Sequence, residues 1–255
     1  MTGTLTVIGL GPGDPRYWTA AASEALAAAS DLVGYGPYLD RVPERAGLTR
    51  HPSDNRVEGD RARHALDLAA TGRAVAVVSG GDPGVFAMAA AVFEALEEAR
   101  PGWHGVGVTI EPGITAMLAA AARLGAPLGA DFCALSLSDN LKPWHVVTSR
   151  LRAVLAADLV VALYNPVSRA RPWQLGAALA LAAEIKPAET LVAFARAVGR
   201  PDESVAVMTL PEAVDRAPYA DMATLVLVGA TATRRVTGAD GASHLYTPRR
   251  VGRQP

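Results

Sequence analysis

One cysteine, Cys133, stands in the 255 residues, so no intramolecular disulfide can form, and a cytoplasmic home is the simple expectation. It lies in an apolar run, Phe132-Cys133-Ala134-Leu135, which reads as a buried thiol rather than a nucleophile. Charge of one sign is missing too. Twenty-four Lys and Arg against 25 Asp and Glu leave a formal net charge of -1, without the basic field on which nucleic-acid binding draws. No basic segment leading into an apolar one opens the chain, so no secretory signal is expected. The longest apolar stretches are too short or too interrupted to span a membrane. Short-period repeats, heptads and low-complexity tracts are lacking, and no cysteine–histidine spacing suits zinc, so no metal is expected. The five histidines (His51, His64, His104, His145, His244) are scattered and read as surface or loop residues.

What is present is apolar and punctuated. Hydrophobic residues make up 50% of the chain and charged ones 19%, the balance of a folded globular protein rather than a disordered one. The length suits one large domain or two small ones. Apolar strands alternate with helical segments: Thr4–Gly9, a helix at 19–29, a strand at 31–34, a helix at 57–71, a strand at 73–79, a helix at 84–99 and a strand at 107–111. Continuous apolar strands separated by helices predict a mostly parallel sheet covered on both faces. After Glu111-Pro112-Gly113 a helix at 114–123 and a turn-rich joint, Gly125–Gly129, lead into a second series. It has strands at 132–137, 159–164, 190–195, 204–208 and 224–228, and helices at 144–156, 172–185 and 211–216. The fold class expected is therefore α/β, as two α/β domains with mostly parallel sheets. The first spans 1–113 and the second 114–236, with a flexible tail over 237–255.

The first strand ends in Gly9-Leu10-Gly11-Pro12-Gly13-Asp14, at a strand's carboxyl end, where parallel sheets place ligands. A dinucleotide fingerprint needs glycine where Asp14 stands and a helix opening directly, which Pro12 and Pro15 interrupt. A Walker loop would need a following Gly-Lys-Ser/Thr, which is absent. Alone, this loop is equally a bare Gly/Pro turn. Three more strand ends carry similar residues: Gly80-Gly81-Asp82-Pro83-Gly84-Val85, Pro112-Gly113-Ile114-Thr115-Ala116 and Tyr164-Asn165-Pro166. Each lets a ligand approach the backbone closely, although Asp82 also suits a helix cap.

The four stretches "GLGPGDPRYWT", "VSGGDPGVFAMA", "EPGITAMLAAAARLGAPLGADFCALSLSD" and "YNPVSRARPWQL" together resemble the tetrapyrrole methylases, the S-adenosylmethionine-dependent methyltransferases of sirohaem and cobalamin synthesis. The match runs from about Leu5 to Gly229. "SLSDNLKPW" and the last stretch resemble the ring-contracting branch of corrin synthesis. The resemblance implies a class III methyltransferase architecture with S-adenosyl-L-methionine in an interdomain cleft, S-adenosylhomocysteine as product, a tetrapyrrole substrate and a homodimer. It places Pro12 in the loop under the site and Gly80, Gly81, Asp82 and Val85 along the cofactor. Thr115 and Ala116 would contact it from a helix start and Asn165 from the second domain, with Arg196 and Thr224 closing the pocket. Relatives acting on uroporphyrinogen carry Glu-Asn-Gly-Thr where this chain has Phe194-Ala195-Arg196-Ala197, so Arg196 is expected to meet the cofactor through its backbone.

Ring contraction needs acid–base help. Candidate groups near predicted strand ends are Asp14, Arg50, His51, Ser138 and Asp139, each with a plain reading beside it: Asp14 holding its turn, Asp139 capping one before Lys142-Pro143. The substrate carries many carboxylates, which arginine recognises well. Arg41, Arg45, Arg50, Arg56, Arg61 and Arg63 cluster in sequence, and Arg169 and Arg171 follow Asn165. Interspersed Glu44, Asp54, Glu58 and Asp60 make a solvated face the plain reading for most of these, with Arg50 and Arg169 the expected carboxylate binders. A non-catalytic tetrapyrrole carrier would have no use for four cofactor loops.

Overall fold

The computed structural model describes residues 3–54, 57–239 and 241–250. Two compact units result, Met1–Ala116 and Met117–Pro255, meeting a few residues after the expected joint. Thr115 and Ala116 thus fall with the first unit.

The first unit runs β1 (Thr4–Gly9), α1 (Ala20–Ala28), β2 (Asp31–Tyr35), α2 (Gly36–Leu39), β3 (Thr49–Ser53), α3 (Glu58–Ala70), β4 (Ala74–Ser79), α4 (Met88–Leu96) and β5 (Gly107–Glu111). Its five strands pair in the order β3-β2-β4-β1-β5, all parallel. Alternate residues of the apolar strands feed different cores. Leu5, Val7, Val75 and Val77 pack with Leu66 of α3 and Val92 of α4. Ile8, Ala76 and Val78 pack with Ala22 and Leu26 of α1 and Leu39 of α2. A sheet covered on both faces needs both sets apolar, which explains the unbroken runs.

The second unit takes up α5 (Ala116–Leu124) after its first residue. It continues with β6 (Gly125–Ala126), β7 (Phe132–Ser136), α6 (Trp144–Ala156), β8 (Val160–Tyr164), α7 (Gln174–Ala183), β9 (Leu191–Arg196), β10 (Ser204–Thr209), α8 (Leu210–Arg216), β11 (Thr224–Val228), β12 (Arg234–Thr237) and β13 (Ser243–Tyr246). One core gathers Val147, Leu151 and Leu155 of α6, Leu175 and Leu179 of α7 and the inward residues of β8, β9 and β11. The main sheet, β10-β9-β11-β8-β7, departs from the expected parallel pattern. Only β7–β8 is parallel there; the other three pairings are antiparallel. The cause is connection length: β9 reaches β10 through seven residues turned by Ala197 and Gly199 at φ 50° and 80°, too few for a parallel crossover.

The expected flexible tail, 237–255, differs over its described part; residues 240 and 251–255 lie outside the described residues. β12 pairs antiparallel with β13, and β13 pairs in parallel with β6, giving a small third sheet. Its strands are mostly exposed and polar, so no apolar run announces them.

Candidate functional site

Because β4, β1 and β5 are neighbours and parallel, their carboxyl ends release three loops side by side. The loops are bonded to one another. Gly11 and Gly81 exchange backbone hydrogen bonds, N to O, at 3.1 and 2.9 Å. The Asp82 carboxylate accepts from Gly84 N at 2.8 Å and from Gly113 N at 3.1 Å. It holds its own turn and ties two loops together; α4 begins only at Met88, so the expected cap of a helix from Gly84 is not formed. A Cβ on Gly113 would stand 2.2 Å from Gly81 O, and one on Gly9 2.6 Å from Gly113 N. One on Gly80 would stand 2.8 Å from the Tyr38 ring. These glycines serve the close packing of loops and ring, not only a ligand wall. Gly81 is different: at φ +66° its Cβ would point at Thr115 Cα and Ala116 N, 3.6 and 3.8 Å away. That leaves a Cβ-sized space over the amino end of α5. Thr115 is buried; Pro12 and Val85 are half-buried.

Arg41 governs the first loop. One terminal nitrogen of its guanidinium donates to the carbonyls of Leu10, Gly11 (3.0 Å) and Gly13 (2.9 Å). Asp14 holds its own turn: Oδ1 accepts from Arg16 N at 2.9 Å at the head of a short 3-10 turn, Pro15–Tyr17. The remaining arginines of this stretch depart from the substrate-binding reading in the same way. Arg50 donates to the carbonyls of Leu39 (3.1 Å) and Val42, and Arg45 to those of Leu26 (3.0 Å) and Ala29. Arg61 is buried on Ser53 Oγ (2.7 Å), Met88 Sδ (3.1 Å) and the Asp54 carbonyl. Arg63 binds Asp60 and Glu98, each at 2.7 Å. Arg56 lies outside the described residues. Arg50 sits on β3, the outermost strand of its sheet.

His51 is not a plain surface residue. Its Nε2 meets the fully buried Asp31 carboxylate at 2.8 Å, with Arg73 Nε at 2.7 Å and Ser30 Oγ at 2.7 Å on the other oxygen. Burial pushes the Asp31 carboxyl up, but these partners outweigh it and hold it below the usual value. His64 Nε2 lies 3.2 Å from His51 Nδ1.

In the second unit, the carboxyl ends of β7 and β8 carry a polar cluster. Asn165, at φ +52°, donates from Nδ2 to the buried Ser136 Oγ at 3.0 Å, and Ser138 N donates to the same oxygen at 3.3 Å. Arg171 is buried and donates to Asn165 O at 3.2 Å, while Arg169 is exposed. Asp139 accepts from Gln174 Nε2 with both oxygens, at 3.2 and 3.1 Å. Burial, with Arg150 and Arg171 near, lowers Lys142 despite the pull of Asp139. Trp144 and Trp173 meet edge to face at 4.9 Å. Sequence reasoning left Gln174, Ser136 and Tyr164 without a role. Gln174 lay inside a quoted motif, but no spacing rule marks it. Tyr164 OH accepts from Met117 N at 2.9 Å.

Arg196 and Thr224 face each other across β9 and β11. The Arg196 guanidinium is held by Asp221 (2.7 Å) and Asp202 (2.8 Å), and Thr224 Oγ1 donates to Asp221 Oδ1 at 2.9 Å. With its side chain so engaged, Arg196 has its backbone to offer. Burial raises the Cys133 thiol, as suits an inert one. Among the described residues, no three His, Cys, Asp or Glu cluster in a way that could hold a metal ion, and no helix is long and apolar enough to cross a membrane.

The family model described as Tetrapyrrole (Corrin/Porphyrin) Methylases matches residues 4–214. A precorrin-3B C(17)-methyltransferase of Sinorhizobium sp is 57% identical over 249 residues, covering 98% of this chain and 97% of that one. The cobalamin biosynthesis protein CobIJ of Mycobacterium tuberculosis is 49% identical over 254 residues; the chain spans 49% of its length. A probable cobalt-factor III C(17)-methyltransferase of Salmonella typhimurium is 40% identical over 233 residues, covering 88% of this chain and 92% of that one. Among solved structures, the methyltransferase CobJ superposes with a TM-score of 0.91 at 53% identity, covering 97% of this chain and 100% of that one.

Proposed function

The chain belongs to the tetrapyrrole methylases, and from that premise we propose that it methylates precorrin-3B at C17 and contracts the ring to precorrin-4, in corrin synthesis. The near-full-length 57% identity to a precorrin-3B C(17)-methyltransferase carries the reading. The methyl donor would be S-adenosylmethionine. One feature tests the fit: Gly81 leaves a Cβ-sized space at the amino end of α5, bordered by backbone and small residues, where an amino-acid carboxylate is welcome. The residues suit the group in that respect. When bound, it supplies an activated methyl on a sulfonium.

The chain's own part is positioning and proton handling. Pro12, Gly80, Gly81, Asp82, Val85, Thr115, Ala116, Asn165, Arg196 (through its backbone) and Thr224 would hold the donor. Asp82 stabilises two of the loops, and Arg41 fixes the third. Asp139 is the carboxylate we assign to proton transfer in ring contraction, with Ser138 beside it. Asp14 and Arg50 are better read as structural, given their partners. A homodimer in the cytoplasm completes the proposal, and sedimentation of the pure protein tests the dimer.

Purified protein is incubated with precorrin-3B and methyl-labelled S-adenosylmethionine without cobalt, following product mass, label position and absorption. Labelled, ring-contracted precorrin-4 is the expected outcome. Turnover of cobalt-factor III alone would favour the second reading, which the Salmonella relative supports.

A further inference from the structure

Gln174 opens α7 with its side chain in the interior, 1% exposed. Its Nε2 donates to both oxygens of Asp139, at 3.2 and 3.1 Å. Its Oε1 is buried and has no hydrogen-bond partner among the described residues. A buried amide oxygen left alone is costly, and an apolar side chain of the same length would fill the space without that cost. The arrangement makes sense if the amide has a second use.

A side-chain amide presents a donor and an acceptor on opposite sides of one rotatable bond. With Asp139 ionised, Nε2 faces the carboxylate, as observed. With Asp139 protonated, a half-turn about the last side-chain bond brings Oε1 to accept the carboxyl O–H. We propose that Gln174 is a positioning residue for Asp139, holding its carboxyl in one place in both protonation states by rotation of its amide. This rests on the reading that Asp139 moves a proton during ring contraction. A group that must give and regain a proton within one turnover benefits from a partner matched to each state, because the carboxyl does not swing away when its charge changes.

The charged groups around this pair come from three elements. Lys142, in the loop after β7, feels Asp139, Arg150 of α6 and Arg171 of the loop before α7. Those cations are the same in every variant below. Ser138 and Asn165 meet at Ser136 on the neighbouring strand ends and bring no charge.

The test separates the inference from the reading beneath it. Asp139 is followed by carbon NMR of aspartate-labelled protein through a pH titration, without substrate, in the native chain, in Gln174→Met and in Gln174→Glu. In Gln174→Met the titration midpoint is expected to rise, because the bonds lost from Nε2 to the ionised carboxyl are charge-assisted and outweigh the one lost to the protonated form. In Gln174→Glu it should rise further, as a second carboxyl then faces the first. Unchanged midpoints in both variants overturn the inference. In turnover, Gln174→Met should lower kcat about tenfold and move the acidic limb of its pH profile upward, with KM for S-adenosylmethionine unchanged. A lower melting temperature with an unmoved pH profile would mark a merely structural glutamine and overturn it as well. Asp139→Asn, assayed alongside, addresses the reading itself: full activity there removes Asp139 from the chemistry, whatever the titrations show.

Discussion

A methyl group added at Gly113 has nowhere to go, since Gly81 O would be 2.2 Å away and Gly9 O 2.8 Å. Gly113→Ala should therefore cost about 3 kcal/mol, the upper range for overpacking, in urea denaturation. Gly36→Ala, with nothing within 4 Å of the new atom, should be neutral or gain about 0.5 kcal/mol. Asp31 makes a second prediction. Asp31→Ala strands His51 and Arg73 beside an empty interior position and should cost roughly 3 kcal/mol. The native carboxyl titrates below its ordinary value. Its contribution is full above the unfolded titration point, about pH 4, and is lost as pH falls through the folded one. Denaturation midpoints for the native chain and Asp31→Ala should thus stay apart from pH 7 down to about pH 4 and begin to draw together below it. At this scale the sequence was readable in position but not in purpose. The loop glycines stood out, yet their neighbours are other loops. Arg50 stood out as a carboxylate binder and Arg41 and Arg45 as part of a solvated face, yet all three serve main-chain carbonyls, which leave no mark in a sequence.

Elements behave more legibly where their ends carry chemistry. α8 begins with a capping box: Thr209 N donates to Glu212 Oε2 at 2.7 Å, and the Thr209 side chain serves the N3 backbone in return. Thr209→Ala should cost about 1 kcal/mol, read as a shift in melting temperature. The strand Thr224–Val228 and the helix Trp144–Ala156 are found with the bounds their patterns suggest. α4 starts at Met88, four residues later than expected, because Phe86 adopts φ +53° and Ala87 is extended; both conformations lie outside a helix. β3 was missed altogether. Thr49-Arg50-His51-Pro52-Ser53 has neither alternation nor apolar run, and Pro52 is tolerated because β3 is the outermost strand of its sheet. Edge strands are half-solvated, so hydrophobic pattern says least about them.

For the whole molecule, apolar continuity foretold that strands are covered on both faces, and the parallel first sheet follows from it. It could not foretell direction in the second, where connection lengths decide. The small third sheet matters more than its size suggests. Leu245 of β13 is buried, Thr247 Oγ1 donates to Pro127 O at 2.6 Å, and Thr247 N donates to Ala126 O at 3.1 Å. Removing residues 234–255 should lower the melting temperature by about 5 °C, the effect of losing 1–2 kcal/mol in a chain of this size. There is also an order of events in this clasp. Pro127 and Thr247 are 120 residues apart, which a ribosome translating at about 5–20 residues per second covers in roughly ten seconds. For that interval the nascent chain has made β6 but not its partner, while the first unit already possesses every strand of its sheet. Until residues 243–247 emerge, the second unit lacks the strand that pairs with β6, so a message ended before them yields a half-closed product for the cell's proteases.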